Sequence, residues 1–366
     1  MFDFSLEPEE SLIRDTARRF AEAELLARVR LHETNRAVDP AIVRRFSETG
    51  LDAVDLPERC GGQGAGTFAK ALVLEELATI DAGAALALEA GGLAATALVE
   101  AGSEHLWRRL REGGGRAVVI EDVENRFHDD SGRVNGEHPW VPADAPALVL
   151  VLQGDGGWMV TDCILATPVA VCGLEAAGGS RVRLDGAPIV GRMTDPEALA
   201  RCRARTRTAV AALLVGAARG AREYATRYAI ERTAFGRPIA HHQAVAFLIA
   251  DMATAIESAR ALVWRAAAAI DAGEDASWEA AVALAEAAEQ ALFVGPGAVQ
   301  LLGGHGFMKD HPVEKWMRDI RALASLAGGR DEAELVAAAL APARDLSPLP
   351  SGRGRREAAG EGETPR

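Results

Sequence analysis

Apolar side chains recur every three or four positions over residues 1–113, which predicts an N-terminal region made of helices. Ser5 precedes an acidic first turn and is placed to cap the opening helix. A second amphipathic stretch covers Ala69–Ile80, and an alanine- and leucine-rich one covers Ala84–Ala101.

The pattern changes over residues 114–200, where short apolar runs are separated by clusters of Gly, Asp and Pro. The runs are Ala117–Ile120, Ala147–Leu152 and Trp158–Thr161. Runs of this length with such punctuation are typical of strands. We therefore predict a small, shortened β-domain in the middle of the chain.

Residues 201–345 return to a helical pattern. One apolar face runs from Val245 to Val263, and a long segment follows over Trp278–Val294. A last helical stretch reaches about Leu340. The predicted fold class is therefore α+β, mostly α, with a disordered polar tail over residues 346–366.

Composition narrows the function classes. A chain of 366 residues is long enough for two or three cores, and its net charge of −13 disfavours a nucleic-acid or membrane-surface role. No apolar run is long enough to span a membrane, and the charged residues 1–20 do not form a signal peptide. The four cysteines have no regular spacing, so we expect reduced thiols in a cytoplasmic protein.

Several tempting motifs carry little weight. Gly61–Gly66 lacks the GxGxxG spacing and follows a helix, so we expect a loop there rather than a dinucleotide site. The pair His241-His242, and His305 with His311, lack the partners that would complete a metal site. No GxSxG motif is present, which disfavours a serine hydrolase.

Two segments carry more specific chemistry. The first is Glu231–Ile239, and its Arg232 has the planar guanidinium that suits a pyrophosphate. The second begins at Gln300, and its Gly303 and Gly304 would let backbone N–H groups approach phosphate oxygens. Taken singly, each segment is equally well explained by loop glycines and surface arginines.

Together with FSLEPEESLIRDTARRFAE, ETGLDAVDLPERCGGQG and ALVLEELATID, these segments resemble the acyl-CoA dehydrogenase family over nearly the whole ordered chain. The resemblance implies an N-terminal helical domain, a β-domain and a C-terminal four-helix bundle, with FAD at the interface of a dimer or tetramer. It implies that a glutamate removes the α-proton of an acyl-CoA, that the flavin accepts the β-hydride, and that an electron-transferring flavoprotein takes the electrons. The residues matched to FAD contacts are Arg232, Phe235, His242, Gln243, Gln300, Gly303 and Gly304. Arg207 matches an arginine near the substrate.

The sequence departs from the family where the catalytic base is expected. Ala327 stands in place of the glutamate of the family's Tyr-Glu-Gly-Thr motif, and Thr206 stands at the position that other branches use. Asp331 and Glu332, about one turn further on, are candidate replacements, although both also fit a solvated helix face. A positioned base contributes about 10²–10⁴-fold, so its loss is serious.

A second departure concerns the flavin ring. The family's Thr-Glu-Pro-x-x-Gly-Ser-Asp loop is replaced by Val118–Asn125, and its Trp-Ile-Thr segment survives only as Trp140-Val141-Pro142. By analogy, the lost elements hold FAD in the same subunit, whereas the retained ones reach the neighbour's FAD. We therefore favour one subunit of a heteromeric dehydrogenase whose partner supplies the base and the ring pocket.

Three alternatives remain open on the sequence alone. The chain is a self-sufficient dehydrogenase with a displaced base, a flavin-dependent monooxygenase on the same scaffold, or a non-catalytic structural homologue.

Overall fold

A computed structural model describes residues 5–89, 92–113 and 115–341. The predicted tail, residues 346–366, lies outside the described residues. The fold class agrees with the prediction, since helices surround a small central sheet. The predicted domain limits remain predictions; the strands run between Arg116 and Met193, and the next helix begins at Pro196.

Before the sheet, the part of the chain that the structure describes forms six α-helices: α1 (Pro8–Phe20), α2 (Val29–Asn35), α3 (Pro40–Thr49), α4 (Gly66–Leu88), α5 (Ala95–Glu100) and α6 (Glu104–Gly113). The prediction that Ser5 caps the first helix is wrong. The N-cap is Glu7, which forms a reciprocal capping box with Glu10, and Pro8 sets the first helical position.

The helix predicted over Ala69–Ile80 and the first part of the one predicted over Ala84–Ala101 lie in one element, α4, which has a break at Asp81. Asp81 has non-helical dihedral angles, and its carboxylate accepts a hydrogen bond from the Ala84 N–H (3.1 Å). The Lys315 ammonium donates to the same carboxylate at 2.8 Å. The expected break therefore exists, but the second half of α4 ends at Leu88 and α5 is separate.

Seven strands form one sheet: β1 (Arg116–Glu121), β2 (Phe127–Asp130), β3 (Arg133–Val141), β4 (Pro146–Gln153), β5 (Gly156–Val160), β6 (Ile164–Pro168) and β7 (Ser180–Met193). Their order is β1-β4-β5-β7-β3-β2, and β6 also pairs with β7. β1 pairs with β4 in parallel and the other pairs are antiparallel. The long β7 joins both halves of the sheet, because its start pairs with β3 and β6 and its end with β5.

Beyond the sheet, the described residues up to 341 form α7 (Pro196–Glu231), a hairpin of β8 (Thr233–Ala234) and β9 (Arg237–Pro238), α8 (Gln243–Asp271), α9 (Ser277–Leu302), α10 (Val313–Leu323) and α11 (Gly329–Leu340). α7, α8 and α9 pack side by side, and α10 packs against α7 and α9. α7 begins with Pro196 behind Asp195, whose carboxylate accepts a bond from the Glu197 N–H (3.1 Å).

α7 also crosses α4 at very short range. A Cβ at Gly216 would lie 2.3 Å from the Glu75 carbonyl oxygen, and one at Gly220 would lie 2.2 Å from that of Thr79. Both positions therefore require glycine. The close crossing fixes α7, which carries Thr206 and Arg207 and is capped by Arg232.

Candidate functional site

The C-terminal end of α7 carries the first predicted contacts. Arg232 caps α7 with an exposed side chain, and its carbonyl accepts a hydrogen bond from the Ile239 N–H (2.8 Å). The hairpin that follows turns at Phe235 and Gly236, whose φ angles are +53° and +82°. Two positive φ angles in a two-residue turn are typical of a primed hairpin. The turn leaves the Phe235 side chain 95% exposed.

His242 ties the hairpin to the start of α8. Its Nδ1 accepts a hydrogen bond from the Arg237 guanidinium (3.2 Å), and its Nε2 lies 3.3 Å from the Ala234 carbonyl oxygen. Gln243 is exposed as the first residue of α8. The first N–H groups of a helix attract anions, so the start of α8 and the exposed Arg232 are candidate anion donors, whereas both ring nitrogens of His242 already have partners in the hairpin.

The second predicted segment lies at the end of α9. Gln300 is exposed on its last turn, and Gly303 has a φ angle of +58°. A Cβ built at Gly303 or Gly304 meets nothing within 4 Å, so the backbone there is open to a ligand.

Side-chain contacts connect this loop to the last turns of α7. The Tyr228 hydroxyl lies 3.3 Å from His305 Nδ1, and the Tyr224 hydroxyl lies 2.8 Å from His311 Nδ1. The second segment is thus held against the last turns of α7, directly before the first segment begins at Glu231.

Large apolar side chains stand exposed on the same elements. The exposed fractions are 95% for Phe235, 74% for Phe307, 59% for Phe247, 48% for Met308 and 43% for Phe293. Exposed apolar groups of this size on neighbouring elements mark an interaction surface.

Arg207 lies inside the protein instead. Its side chain is buried on α7, and its Nε has no hydrogen-bond partner among the described residues. Burial lowers the pKa of Arg207, with Glu121 nearby favouring its charged form. Arg207 lines a cavity of about 570 Å³ together with Glu121, Arg203 and Glu332.

The positions of the missing base border these groups. Ala327 lies in the turn between α10 and α11 with a φ angle of +56°. A Cβ at the adjacent Gly328 would lie 3.1 Å from Glu332 Cγ and 3.4 Å from Glu121 Cγ. Of the two candidate replacements, Glu332 lines the Arg207 cavity, whereas Asp331 is exposed and does not line it.

Glu121 is a site residue that sequence reasoning missed. It accepts hydrogen bonds from Arg203 Nε (2.9 and 3.1 Å), and burial raises its pKa. In the sequence, Glu121 could have been noticed as a carboxylate directly after the apolar run of β1, a strand that lies at the edge of the sheet.

Thr206 borders a second, much smaller cavity. Its hydroxyl donates to the Cys202 carbonyl (2.9 Å), so it is no proton acceptor for a substrate. The cavity, of about 30 Å³, is also lined by Lys70, Glu89 and Asp55. The sequence analysis did not identify this charged cluster. Lys70, a lysine near the start of an apolar helical stretch, could have indicated a buried charge.

The Lys70 ammonium donates to both Glu89 carboxylate oxygens (2.8 and 2.7 Å) and to the Asp52 carbonyl (2.8 Å). Asp55 lies 3.5 Å away. Burial raises the pKa of Glu89 to about 7 against the opposing effect of Lys70, and Asp55 and Asp52 raise it further. The Lys70 pKa is also raised, since these carboxylates outweigh its burial.

Val118–Asn125, the stretch that replaces the family's Thr-Glu-Pro-x-x-Gly-Ser-Asp loop, is held by hydrogen bonds to nearby parts of the sheet. The Asp122 carboxylate accepts hydrogen bonds from the Arg126 and Phe127 N–H groups and from the Gln153 amide, all at 2.9 Å. Trp140 Nε1 is buried without a hydrogen-bond partner among the described residues. The backbone near Asp122 therefore offers a ligand fewer free N–H groups than the backbone at Gly303 and Gly304 does.

The glycine-rich segment Gly61–Gly66 forms a loop before α4, as expected. The Asp271 carboxylate accepts hydrogen bonds from the Thr67 and Phe68 N–H groups (2.7 and 2.8 Å), so a protein carboxylate already occupies that helix start.

Among the described residues, no group of three or more His, Cys, Asp or Glu side chains suits a metal ion. No described helix has the length and apolar character needed to cross a bilayer. All four cysteines are free.

Comparison with known proteins gives a consistent result for both helical regions of the chain. Two family models match: "Acyl-CoA dehydrogenase, N-terminal domain" over residues 7–111 and "Acyl-CoA dehydrogenase, C-terminal domain" over residues 199–339. The probable acyl-CoA dehydrogenase FadE25 of Mycobacterium tuberculosis is 30% identical over 361 residues, which cover 87% of this chain and 91% of that protein.

Solved structures share the fold. The electron transferring flavoprotein structure of Acidaminococcus fermentans aligns with a TM-score of 0.83 at 25% identity, over 94% of this chain and 100% of that one. The Tcur3481-Tcur3483 steroid ACAD aligns with a TM-score of 0.80 at 26% identity, over 92% of this chain and 98% of that one.

Proposed function

Because this chain belongs to the acyl-CoA dehydrogenase family, we propose that it serves FAD-linked α,β-dehydrogenation of an acyl-CoA as one subunit of a heteromeric enzyme. One contrast carries the proposal. Ala327 and Thr206 supply no proton acceptor, whereas the exposed end of the bundle keeps a full set of candidate cofactor contacts.

The exposed end suits the pyrophosphate and adenosine part of FAD. Arg232 offers an exposed cation, Gln300 an exposed amide, and Gly303 and Gly304 an open backbone. When bound, the flavin would accept the hydride that leaves the β-carbon of the substrate. An electron-transferring flavoprotein is the proposed acceptor of the electrons.

Within this chain, Arg207 would orient the substrate, because a buried guanidinium without a hydrogen bond at Nε can donate to an acceptor in its cavity. The α-proton needs a different group. In the proposed assembly, a partner chain supplies the base and the ring pocket and covers the exposed phenylalanines. The name of the Tcur3481-Tcur3483 steroid ACAD joins two components, which is consistent with such a pairing.

An absorbance spectrum tests the proposal. The chain purified alone should carry little flavin, whereas co-expression with a partner that has an intact Tyr-Glu-Gly-Thr motif should give a yellow, active complex. In that complex, Arg232→Ala should lower flavin content strongly, while Arg109→Ala, a change at an exposed arginine of α6, should leave it unchanged. Full flavin content and turnover by the chain alone would refute the heteromeric assembly.

One observation favours a self-sufficient enzyme as the second candidate. Glu332 lines the Arg207 cavity beside the turn that carries Ala327. If Glu332 is the base, Glu332→Gln should reduce turnover by about 10²-fold or more, and the neighbouring Asp331→Asn should not. Equal kinetics for the two variants would remove this candidate.

A further inference from the structure

We propose that the cavity beside Arg222 is a binding site for a small organic anion, separate from the site of the proposed reaction. This Arg222 cavity has a volume of about 580 Å³ and is lined by side chains of α1, α4, α7 and α8. Its volume is typical of a small-ligand site. The inference does not depend on the proposed function, since it follows from the hydrogen-bond donors and acceptors that line the cavity.

The buried carboxylates of this cavity are already paired. The Glu76 carboxylate accepts hydrogen bonds from Arg18 (3.0 and 3.2 Å) and from Arg219 (3.1 Å). The Glu75 carboxylate accepts hydrogen bonds from Arg260 Nε (3.1 and 3.2 Å) and lies 3.5 Å from Arg219. Burial would raise the pKa of Glu76, but its bonds with the two arginines lower it, so the group stays ionised. Neither buried carboxylate is therefore left to neutralise a further cation.

Two donors of the cavity lack acceptors. Arg222 Nε and Trp264 Nε1 are both buried, and neither has a hydrogen-bond partner among the described residues. The Arg222 guanidinium lies 3.9 Å from the Glu223 carboxylate, which is too far for a hydrogen bond. Glu257, at the exposed rim, is paired with Arg260 instead. Since buried donors are normally satisfied, these two require an acceptor that the described residues do not supply.

The charge of the lining favours an anion as that acceptor. Five arginines and four glutamates line the cavity, which leaves one net positive charge. Four of these arginines have a nitrogen within 3.3 Å of a carboxylate oxygen, whereas Arg222 does not. The Arg222 side chain is 24% exposed, so its guanidinium, which suits a carboxylate or a phosphate, can be reached from the cavity. Leu72 and the Trp264 ring line the same space, and they favour an anion that carries an apolar or aromatic part.

The Arg222 cavity is separate from the two regions at the ends of α7. Arg222 lies 15 residues after Arg207 and 10 residues before Arg232, which corresponds to about 22 Å and about 15 Å along the helix axis. Neither Arg207 nor Arg232 lines the cavity. An anion bound beside Arg222 would therefore leave the Arg207 cavity and the exposed end of the bundle free.

Isothermal calorimetry on the full-length protein provides the experiment. We would titrate benzoate, phenyl phosphate and inorganic phosphate in a chloride buffer that contains no other carboxylate or phosphate. Benzoate or phenyl phosphate should bind with a stoichiometry of one, and the one that binds more tightly distinguishes a carboxylate site from a phosphate site. Inorganic phosphate should bind more weakly than either, because it has no ring to lie against Leu72 and Trp264. Arg222→Gln should weaken binding of the ring-bearing anion by about tenfold or more, since a hydrogen bond from a charged donor is lost.

Two further variants locate the bound anion. Trp264→Phe keeps an aromatic ring but removes the Nε1 donor, so it should weaken binding by about two- to tenfold. The control Arg109→Gln removes the same positive charge at an exposed position of α6 that does not line the cavity, and its affinity should equal that of the unaltered protein.

Three results would overturn the anion site. Neither ring-bearing anion binds, or Arg222→Gln and Arg109→Gln weaken binding equally, which would show attraction by overall charge. The third is a loss of binding in Arg232→Ala but not in Arg222→Gln, which would place the anion at the exposed end of the bundle. If Arg222→Gln does not fold, the comparison of Trp264→Phe with Arg109→Gln still decides. The heteromeric assembly is tested by flavin content instead, so the two proposals fail independently.

Discussion

The two ends of α7 meet opposite surroundings. Near its start, Thr206 and Arg207 are buried between two cavities whose walls come from α4, the sheet and α11. At its end, Arg232 and the hairpin tip project into solvent, with Phe235 95% exposed. One helix thus connects two cavities enclosed by this chain to an exposed surface, which in the proposed assembly would face a second chain.

Charged residues have different physical roles at the two ends of α7. Charged groups at the buried end are either held in ion pairs, as Lys70 is, or left without a hydrogen bond, as Arg207 Nε is. Charged groups at the exposed end are hydrated and contribute little to folding. Substitutions at the buried end should therefore change stability, and those at the exposed end should change binding.

The largest expected effect is that of Lys70→Met. It leaves Glu89 and Asp55 buried without their cation, so the free energy of unfolding should fall by about 3–5 kcal/mol. Arg237→Ala at the exposed end should cost less than about 0.5 kcal/mol. Urea unfolding followed by circular dichroism measures both, and similar losses would contradict the contrast between the two ends.

Much of this architecture could be predicted from the sequence. Helical periodicity is strong in the long bundle helices, and clusters of Gly, Asp and Pro separate the strands. Arg232, Gln300 and Gly303 could be selected as candidate contacts, since they lie in contiguous motifs, and their role as FAD contacts stays a prediction. The ion pair between Lys70 and Glu89 could not be predicted. It depends on the end of α4 at Leu88 and on burial, which periodicity does not reveal.

The start of α1 illustrates a local limit. Ser5 fits the usual capping preference, but the Glu7–Glu10 capping box and Pro8 set the helix start two residues later. Similarly, the turn at Ala327 could be aligned by motif, whereas the presence of Glu121 beside it follows only from the packing of β1 against that turn.

The next effect in size is a pH dependence at the buried end. The pKa of Glu89 is about 7 when folded and about 4.5 when unfolded. Between these values the unfolded state binds fewer protons, so this group's stabilising contribution is full below about pH 4.5 and is lost as pH rises through 7.

Unfolding free energies of the unaltered protein and of Glu89→Gln, measured at about pH 5 and about pH 8, isolate this contribution. Their difference should fall by on the order of 2 kcal/mol across that range. A difference that stays constant between these two pH values would show that Lys70 keeps Glu89 ionised in the folded state throughout.

Arg207→Met should separate stability from binding. Removing a buried guanidinium whose Nε lacks a hydrogen bond should stabilise the fold by about 1 kcal/mol. The same change should weaken acyl-CoA binding by about tenfold or more, because the cavity loses its donor. A loss of stability with unchanged affinity would place Arg207 among the structural residues.

The smallest effect concerns the hairpin tip. A φ angle of +53° disfavours phenylalanine but suits asparagine, and Asn-Gly is the preferred sequence for this turn. Phe235→Asn should therefore raise the free energy of unfolding by about 0.5 kcal/mol while lowering flavin retention in the co-expressed complex. Phe235→Ala, which removes the ring but keeps an unfavourable backbone, should lower flavin retention equally without the gain in stability. If both variants keep their flavin, the exposed ring has no part in the shared site, and the end of α7 does not depend on a second chain as proposed.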